Sequence, residues 1–162
     1  MYLFDANAFM EASRRYYAND IAPGFWTWLA APRIAARVAS VTAVRDEIIA
    51  GKGHLVEWVR QRPPSFWIED NSASLGATRS LAAWAADPSR GFHRSAVDEF
   101  LGAADLSLIA HALTLQATVV THEQPAPEAK RRIKIPDVCR AFDVGWTDPF
   151  STFRDLGMRL VA

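Results

Sequence analysis

The sequence has little cysteine, no net charge and no long apolar segment. Cys139 is the single cysteine among 162 residues, so an intrachain disulfide is excluded and a reducing compartment is compatible. Eighteen basic residues balance eighteen acidic ones, so the chain lacks the overall positive charge of many nucleic-acid-binding proteins. No apolar run approaches the roughly 20 residues that a membrane-spanning helix needs. We therefore expect a cytoplasmic protein without a membrane segment.

Several common enzyme motifs are also missing. The sequence contains no phosphate-binding loop, no G-x-G-x-x-G dinucleotide motif and no G-x-S-x-G nucleophile elbow. The four histidines and Cys139 do not follow zinc-finger spacing.

The composition is that of a globular protein. Hydrophobic residues make up 50% of the chain, and its length suits one domain, which we predict to span residues 1–162. No internal repeat or linker divides it. Six Trp and nine Phe are many for this length, so we include a homodimer among the expected assemblies.

The first seven residues carry the leading functional signal. Four apolar residues run directly into Asp5. A continuous apolar run is typical of a buried parallel strand, and ligands in open α/β sheets bind at the carboxyl ends of such strands. Asp5 is therefore well placed for chemistry, although an Asp in this position is more often a turn former or a helix N-cap.

A second signal lies between residues 103 and 122. Asp105 shares one predicted helix face with Leu108, Ile109 and Ala112, and the β-branched run 117–121 follows as a buried strand. A helix followed by such a strand is half of a βαβ unit, which predicts an α/β fold with a parallel sheet. Asp105 alone is equally consistent with a helix N-cap and with a metal ligand.

Two further acids extend this pattern. Glu47 lies in the helix after the second predicted strand, and Glu123 follows the strand 117–121. Parallel strands end at one edge, so several carboxylates are expected to meet there. Two charges 4 Å apart repel by about 4 kcal/mol at an effective dielectric constant of 20. A shared proton or a divalent cation relieves that repulsion, and oxygen ligands favour Mg²⁺ or Mn²⁺, which can activate water for phosphodiester hydrolysis.

The segment after Glu123 contains the local positive charge. Lys130, Arg131 and Arg132 form a basic run that could attract phosphate, although such runs are usually solvated. The alternation in residues 133–135 predicts an edge strand, and residues 137–142 predict a short helix.

These residues occur in an order that resembles the PIN-domain family of nucleases, many of which are toxins of bacterial toxin–antitoxin pairs. The resemblance covers nearly the whole chain. Its marks are Tyr2–Asn7, Ser40, Val44 through Glu47, Ala104-Asp105 with Ile109-Ala110 and Ala112, and Val119-Val120-Thr121 with an acid two residues on. It is most similar to a branch that carries Tyr16-Tyr17, Pro23-Gly24-Phe25-Trp26, Thr121-His122-Glu123 and Ile135-Pro136-Asp137-Val138-Cys139.

The resemblance implies a three-layer α/β/α fold around a parallel sheet of four or five strands. It implies that Mg²⁺ or Mn²⁺ is held by the acids already named, with Asn7 and Thr121 near the metal and substrate. The sequence departs from the family pattern at Ala6, where Thr or Ser is usual, and at Glu123, where Asp is usual.

The sequence thus predicts a metal-dependent endoribonuclease in which Asp5, Glu47, Asp105 and Glu123 bind the cation. Asn7, Thr121 and the basic run 130–132 would contact the RNA. A toxin role would add a cognate antitoxin as partner. Two alternatives stay open at this point: a catalytically weak module that only binds RNA or protein, and a nuclease directed at DNA.

Overall fold

A computed structural model describes residues 1–159, and the last three residues of the predicted domain 1–162 lie outside that range. The described chain contains a five-stranded parallel sheet. Its strands are β1 (Tyr2–Phe4), β2 (Val38–Val41), β3 (Trp67–Ile68), β4 (Thr118–Val120) and β5 (Trp146–Thr147). Their spatial order is β3-β2-β1-β4-β5, so β1 is central.

Ten α-helices connect and flank these strands within residues 1–159. They are α1 (Ala6–Glu11), α2 (Pro23–Leu29), α3 (Pro32–Ala35), α4 (Thr42–Ile49), α5 (His54–Arg60), α6 (Ser72–Ala86), α7 (Arg94–Gly102), α8 (Ala104–Leu115), α9 (Ile135–Ala141) and α10 (Pro149–Asp155). A π-helical segment, Ala12–Tyr16, continues α1. The expected three-layer α/β/α fold is confirmed, with five strands in the sheet.

The core lies on both faces of β1. Successive strand residues point to opposite faces, and Phe4 packs against Phe9 of α1 and Phe153 of α10, with ring centroids 5.4 and 6.1 Å apart. Leu3 is directed to the other face and is fully buried. Helix α8 contacts β1, β2 and β4, and its Ile109 is also fully buried. Apolar packing therefore fixes the strand that carries Asp5.

One sequence prediction is wrong in the segment before α9. Residues 133–135 do not form an edge strand, and α9 begins at Ile135 with Pro136 in its first turn. The backbone N–H of Ile135 donates to the Glu123 carboxylate at 2.8 Å. The Ile135 N–H thus bonds to a side chain instead of to the backbone carbonyl of a neighbouring strand.

The strand register brings distant residues to one edge of the sheet. Phe4 pairs with Val120 across β1 and β4, so Asp5 lies opposite Thr121 just past the end of both strands. The Asp5 N–H also donates to the Val120 carbonyl at 3.1 Å. Among the helices of residues 1–159, none has the length and apolar character required to cross a membrane.

Candidate functional site

Asp5 is the most buried acid at the carboxyl edge of the sheet. It follows β1 directly, and only 1% of its surface is exposed. One carboxylate oxygen accepts the N–H of Ala8 at 2.5 Å, which caps the amino end of α1. The other oxygen accepts the hydroxyl of Thr121 at 2.6 Å. The N-cap interpretation of Asp5 is therefore correct, and the cap also holds the carboxylate in a fixed orientation.

Thr121 connects Asp5 to the fourth predicted acid. Its buried hydroxyl donates to Asp5 and accepts the backbone N–H of Glu123 at 3.0 Å. The sequence predicts Thr121 near the metal and substrate, and the structure places it in direct contact with Asp5. Thr121 thereby sets both the orientation of the Asp5 carboxylate and the path of the chain leaving β4.

Asp105 lies in the first turn of α8, and it is not that helix's cap. The N-cap position is Ala103, which makes no side-chain capping bond, so the N-cap alternative for Asp105 is excluded. Asp105 is half-buried and shares a small cavity with Glu99 of α7 and Arg132. Packing of α8 on the central strands carries Asp105 toward the edge where β1 ends.

Glu47 lies across a cleft from the end of α7. This cleft has a volume of about 470 Å³ and is lined by Glu47, Glu99, Gly102 and Ala103, among others. Glu47 is exposed on α4, a helix that packs against α8. Its carboxylate therefore approaches the site from the solvent side.

Burial, more than mutual repulsion, changes the protonation of these acids. Burial raises the pKa of Asp5 to about 7, with the negative charges of Asp105 and Glu123 contributing to the rise and its hydrogen bonds opposing it. Burial also raises the pKa of Asp105 to about 6, helped by Glu123 and Glu47 and opposed by Arg132. Burial raises the pKa of Glu47 as well. The four predicted acids thus include residues that influence one another electrostatically although they are distant in sequence.

Glu123 differs from the other three because its charge is already compensated. Its carboxylate accepts the Lys134 ammonium at 3.2 Å and the Ile135 N–H at 2.8 Å, and Arg132 lies 3.9 Å away. Within residues 1–159, Asp5, Glu47 and Asp105 make no ion pair with a basic side chain. These three carboxylates are therefore available to interact with a cation.

The comparison with protein families gives one match, to a family described as "Domain of unknown function (DUF4411)", over residues 2–160. The chain belongs to this family. No curated protein and no solved structure matches it. The DUF4411 match covers all the acids described above.

The donor set of this DUF4411 chain fits a hard cation better than a soft one. Asp5, Glu47 and Asp105 offer only carboxylate oxygens, and each ionised carboxylate has about four lone-pair sites, so the hydrogen bonds to Asp5 leave acceptor capacity. Within residues 1–159, no group of three or more His, Cys, Asp or Glu side chains is arranged to hold a metal ion. The case for a hard cation therefore depends on the chemistry of the carboxylate oxygens, which are the donors that Mg²⁺ takes in small number beside its waters.

The predicted substrate contacts do not all reach this edge. Arg132 lies beside Asp105 and Glu123, whereas Lys130 lines a separate cavity and holds its ammonium 5.3 Å from the centre of the Phe92 ring. Arg131 and Asn7 are exposed and make no side-chain hydrogen bond within the described residues. The basic run is thus divided between two sites rather than directed at one.

Sequence reasoning missed Glu99 as a member of the acidic group. It lines both the Glu47 cleft and the Asp105 cavity, and its charge raises the pKa of Asp105. Its sequence signal was weak but present: α7 ends at Gly102, only three residues before Asp105. Because only Ala103 separates α7 from α8, the last turn of α7 lies beside the first turn of α8.

Proposed function

We propose that this protein is a metal-dependent endoribonuclease in which Asp5, Glu47 and Asp105 bind the cation. The observation that carries the proposal is the shared electrostatics of Asp5 and Asp105. These carboxylates are distant in sequence, yet the negative charge of Glu123 raises the pKa of both, and that of Asp105 raises the pKa of Asp5. Neither forms an ion pair with a basic side chain among residues 1–159. A divalent cation would relieve the repulsion in such an arrangement and would keep the carboxylates ionised.

The chain's own groups have separable roles in this proposal. Thr121 and the Ala8 N–H orient the Asp5 carboxylate, and Arg132 offers a positive charge to a phosphate beside Asp105. A bound Mg²⁺ or Mn²⁺ would supply Lewis-acid activation of water and of the phosphodiester. Glu123 holds the basic segment through Lys134 and Ile135, and its role as a cation ligand stays a prediction.

The central test compares purified wild-type protein with Asp5→Asn. We expect the wild type to cleave single-stranded RNA only when Mg²⁺ or Mn²⁺ is present, and Asp5→Asn to lose at least a hundredfold in rate because the charge at the end of β1 is gone. Asp20→Asn is the matched control, because Asp20 is exposed in a turn and the substitution removes the same charge away from the site. Undiminished cleavage by Asp5→Asn would eliminate the proposed site.

Two further measurements separate the alternatives. Titration calorimetry with Mn²⁺ should give binding by the wild type and none by Asp5→Asn; RNA binding without any metal binding would favour the binding module instead. Single-stranded DNA of the same sequence, tested beside the RNA, decides between the ribonuclease and the DNA-directed nuclease.

We further propose that the enzyme acts in the cytoplasm as the toxin of a toxin–antitoxin pair, with a cognate antitoxin protein as partner and a homodimer as a possible assembly. The support is the resemblance in the sequence together with an acidic edge that is open to solvent at Glu47. Expression of the wild type should arrest bacterial growth, whereas Asp5→Asn should not. Normal growth with abundant wild-type protein would contradict the toxin role.

A further inference from the structure

A second cavity lies outside the acidic site, between α6, the loop before α7 and α9. Its volume is about 400 Å³, within the range of cavities that hold small ligands. Two aromatic rings, three basic side chains and one acid line it: Trp84, Phe92, Arg90, Lys130, Arg140 and Asp137. The proposed ribonuclease site uses none of these six residues.

The aromatic rings and the cations in this cavity are already in contact. The Arg90 guanidinium carbon lies 4.4 Å from the centre of the Trp84 ring, and the Lys130 ammonium lies 5.3 Å from that of Phe92. The two rings are 5.6 Å apart at 53°. Single-stranded bases stack on aromatic rings and on Arg guanidinium planes, and neighbouring cations bind their phosphates.

Two residues that line the cavity also have a buried polar atom without a partner. Asp137 uses Oδ2 to accept the Ala126 N–H at 2.8 Å, whereas its Oδ1 is buried without a partner within residues 1–159. The Trp84 Nε1–H is likewise buried and unpartnered there. Buried polar groups without partners are rare, so hydrogen bonding on this side of the molecule is incomplete within the described residues.

The cavity adjoins the acidic site through the chain itself. Lys130 lines the cavity and Arg132 lies beside Asp105, and two residues of chain span at most about 7 Å. On the other side, the Ile135 N–H is bound to Glu123, while Asp137, two residues further along α9, lines the cavity. A phosphate at Arg132 and a neighbouring nucleotide at Lys130 would then contact residues that are two positions apart in the protein chain.

We propose that this cavity binds one nucleotide of the RNA strand next to the phosphate that is cleaved. Its base lies against the Trp84 and Phe92 side of the cavity, and its phosphate lies among Arg90, Lys130 and Arg140. The choice of RNA as ligand rests on the proposed function. A single phosphate or an acidic peptide would use the cations but would leave the aromatic side of the cavity without a role.

Binding is tested without cleavage, in an Asp5→Asn background with EDTA. The probe is a fluorescein-labelled RNA hexanucleotide, and fluorescence anisotropy gives its dissociation constant. Arg140→Ala should weaken binding about tenfold, and Trp84→Leu by a similar factor. Arg33→Ala is the charge-matched control, because Arg33 is exposed on α3 and, like Arg140, has no ion pair within residues 1–159. The control should change binding less than twofold.

Abasic scanning of the same hexanucleotide identifies base recognition directly. Removing the base at one position should weaken binding by the factor that Trp84→Leu produces, and it should weaken binding to Trp84→Leu itself no further. Equal affinities of Arg140→Ala and Arg33→Ala, or an equal loss at every abasic position, would overturn the proposal. If Trp84→Leu does not fold, Arg140→Ala and the scan decide alone.

The outcome is separable from that of the proposed function. Loss of metal-dependent cleavage is read from Asp5→Asn against wild type, whereas occupation of the cavity is read from binding alone. If cleavage depends on Asp5 but Arg140→Ala does not change RNA binding, the cavity proposal is refuted and the ribonuclease proposal stands. Binding of one base in the cavity of a protein that cleaves no RNA would keep the cavity proposal and remove the ribonuclease.

Discussion

Replacement of Asp5 by Asn should stabilise the metal-free protein at alkaline pH while it abolishes cleavage. The ordinary carboxyl pKa of 3.8 becomes about 7 in the fold, mainly because Asp5 is buried. Each pH unit of that difference corresponds to about 1.4 kcal/mol, so ionised Asp5 lowers the free energy of unfolding by about 4 kcal/mol at pH 8. Asn carries no charge and avoids this cost.

The hydrogen bonds of Asp5 reduce the expected gain. Asn can still accept the Ala8 N–H with its carbonyl oxygen, but its amide donates where the carboxylate accepted the Thr121 hydroxyl. That mismatch costs about 1 kcal/mol. We therefore expect Asp5→Asn to be about 3 kcal/mol more stable than the wild type at pH 8 in EDTA.

The pH dependence has a definite sign. Between about pH 4 and about pH 7 the folded wild type keeps a proton on Asp5 that the unfolded chain has lost. The contribution of Asp5 to the free energy of unfolding therefore falls as pH rises through this window and becomes level above about pH 7. Below about pH 4 both states are protonated, and the advantage of Asp5→Asn should vanish.

Urea unfolding followed by circular dichroism at pH 4, 6 and 8 measures this effect as the difference between wild type and variant. Asp20→Asn serves as the control, because its exposed carboxyl group should give no such trend. A difference that does not change with pH, or an Asp5→Asn protein less stable than the wild type at pH 8, would refute the electrostatic reasoning. Added Mg²⁺ at pH 8 should then stabilise the wild type and leave the variant unchanged.

Three further substitutions test the neighbours of Asp5. Thr121→Val removes a hydrogen bond that favours ionised Asp5, so its pKa should rise and the pH profile of cleavage should move to more alkaline pH. Glu123→Gln removes the charge that holds the segment before α9, so amide hydrogen exchange in residues 130–135 should become faster. Glu99→Gln removes a charge that raises the pKa of Asp105, so Mn²⁺ binding measured by calorimetry should persist to lower pH.

Each of these three predictions has its own contrary result. An unshifted pH profile for Thr121→Val would mean that cleavage does not depend on the protonation of Asp5. Exchange rates equal to those of the wild type would show that Glu123 does not order the basic segment. Mn²⁺ binding by Glu99→Gln that fails at the same pH as in the wild type would separate Glu99 from the site.

The fold and the position of Asp5 were predictable because both depend on burial. A continuous apolar run into an acid defines a buried parallel strand and its carboxyl end, and β1 with Asp5 follows that rule. The apolar face of α8 similarly predicted that Asp105 approaches the core side. Where hydrophobic periodicity determines a position, the sequence contains the necessary information.

Other features depended on contacts between segments that periodicity does not encode. Alternation in residues 133–135 resembles an edge strand, but the Glu123 carboxylate binds the Ile135 N–H and a helix begins there. Adjacent basic residues resemble one phosphate site, yet Lys130 and Arg132 lie in different cavities. Glu99 was missed because its importance arises only when α7 and α8 meet.

The central position of β1 has a consequence for synthesis on the ribosome. Asp5 is oriented by Thr121, 116 residues later in the chain, and β1 is paired on that side only by β4. Contacts that distant close slowly, since the intervening chain must first be ordered. A nascent polypeptide that has not yet exposed β4 carries Asp5 without its alignment, so the proposed cleavage would require that β4 has left the ribosome and paired with β1.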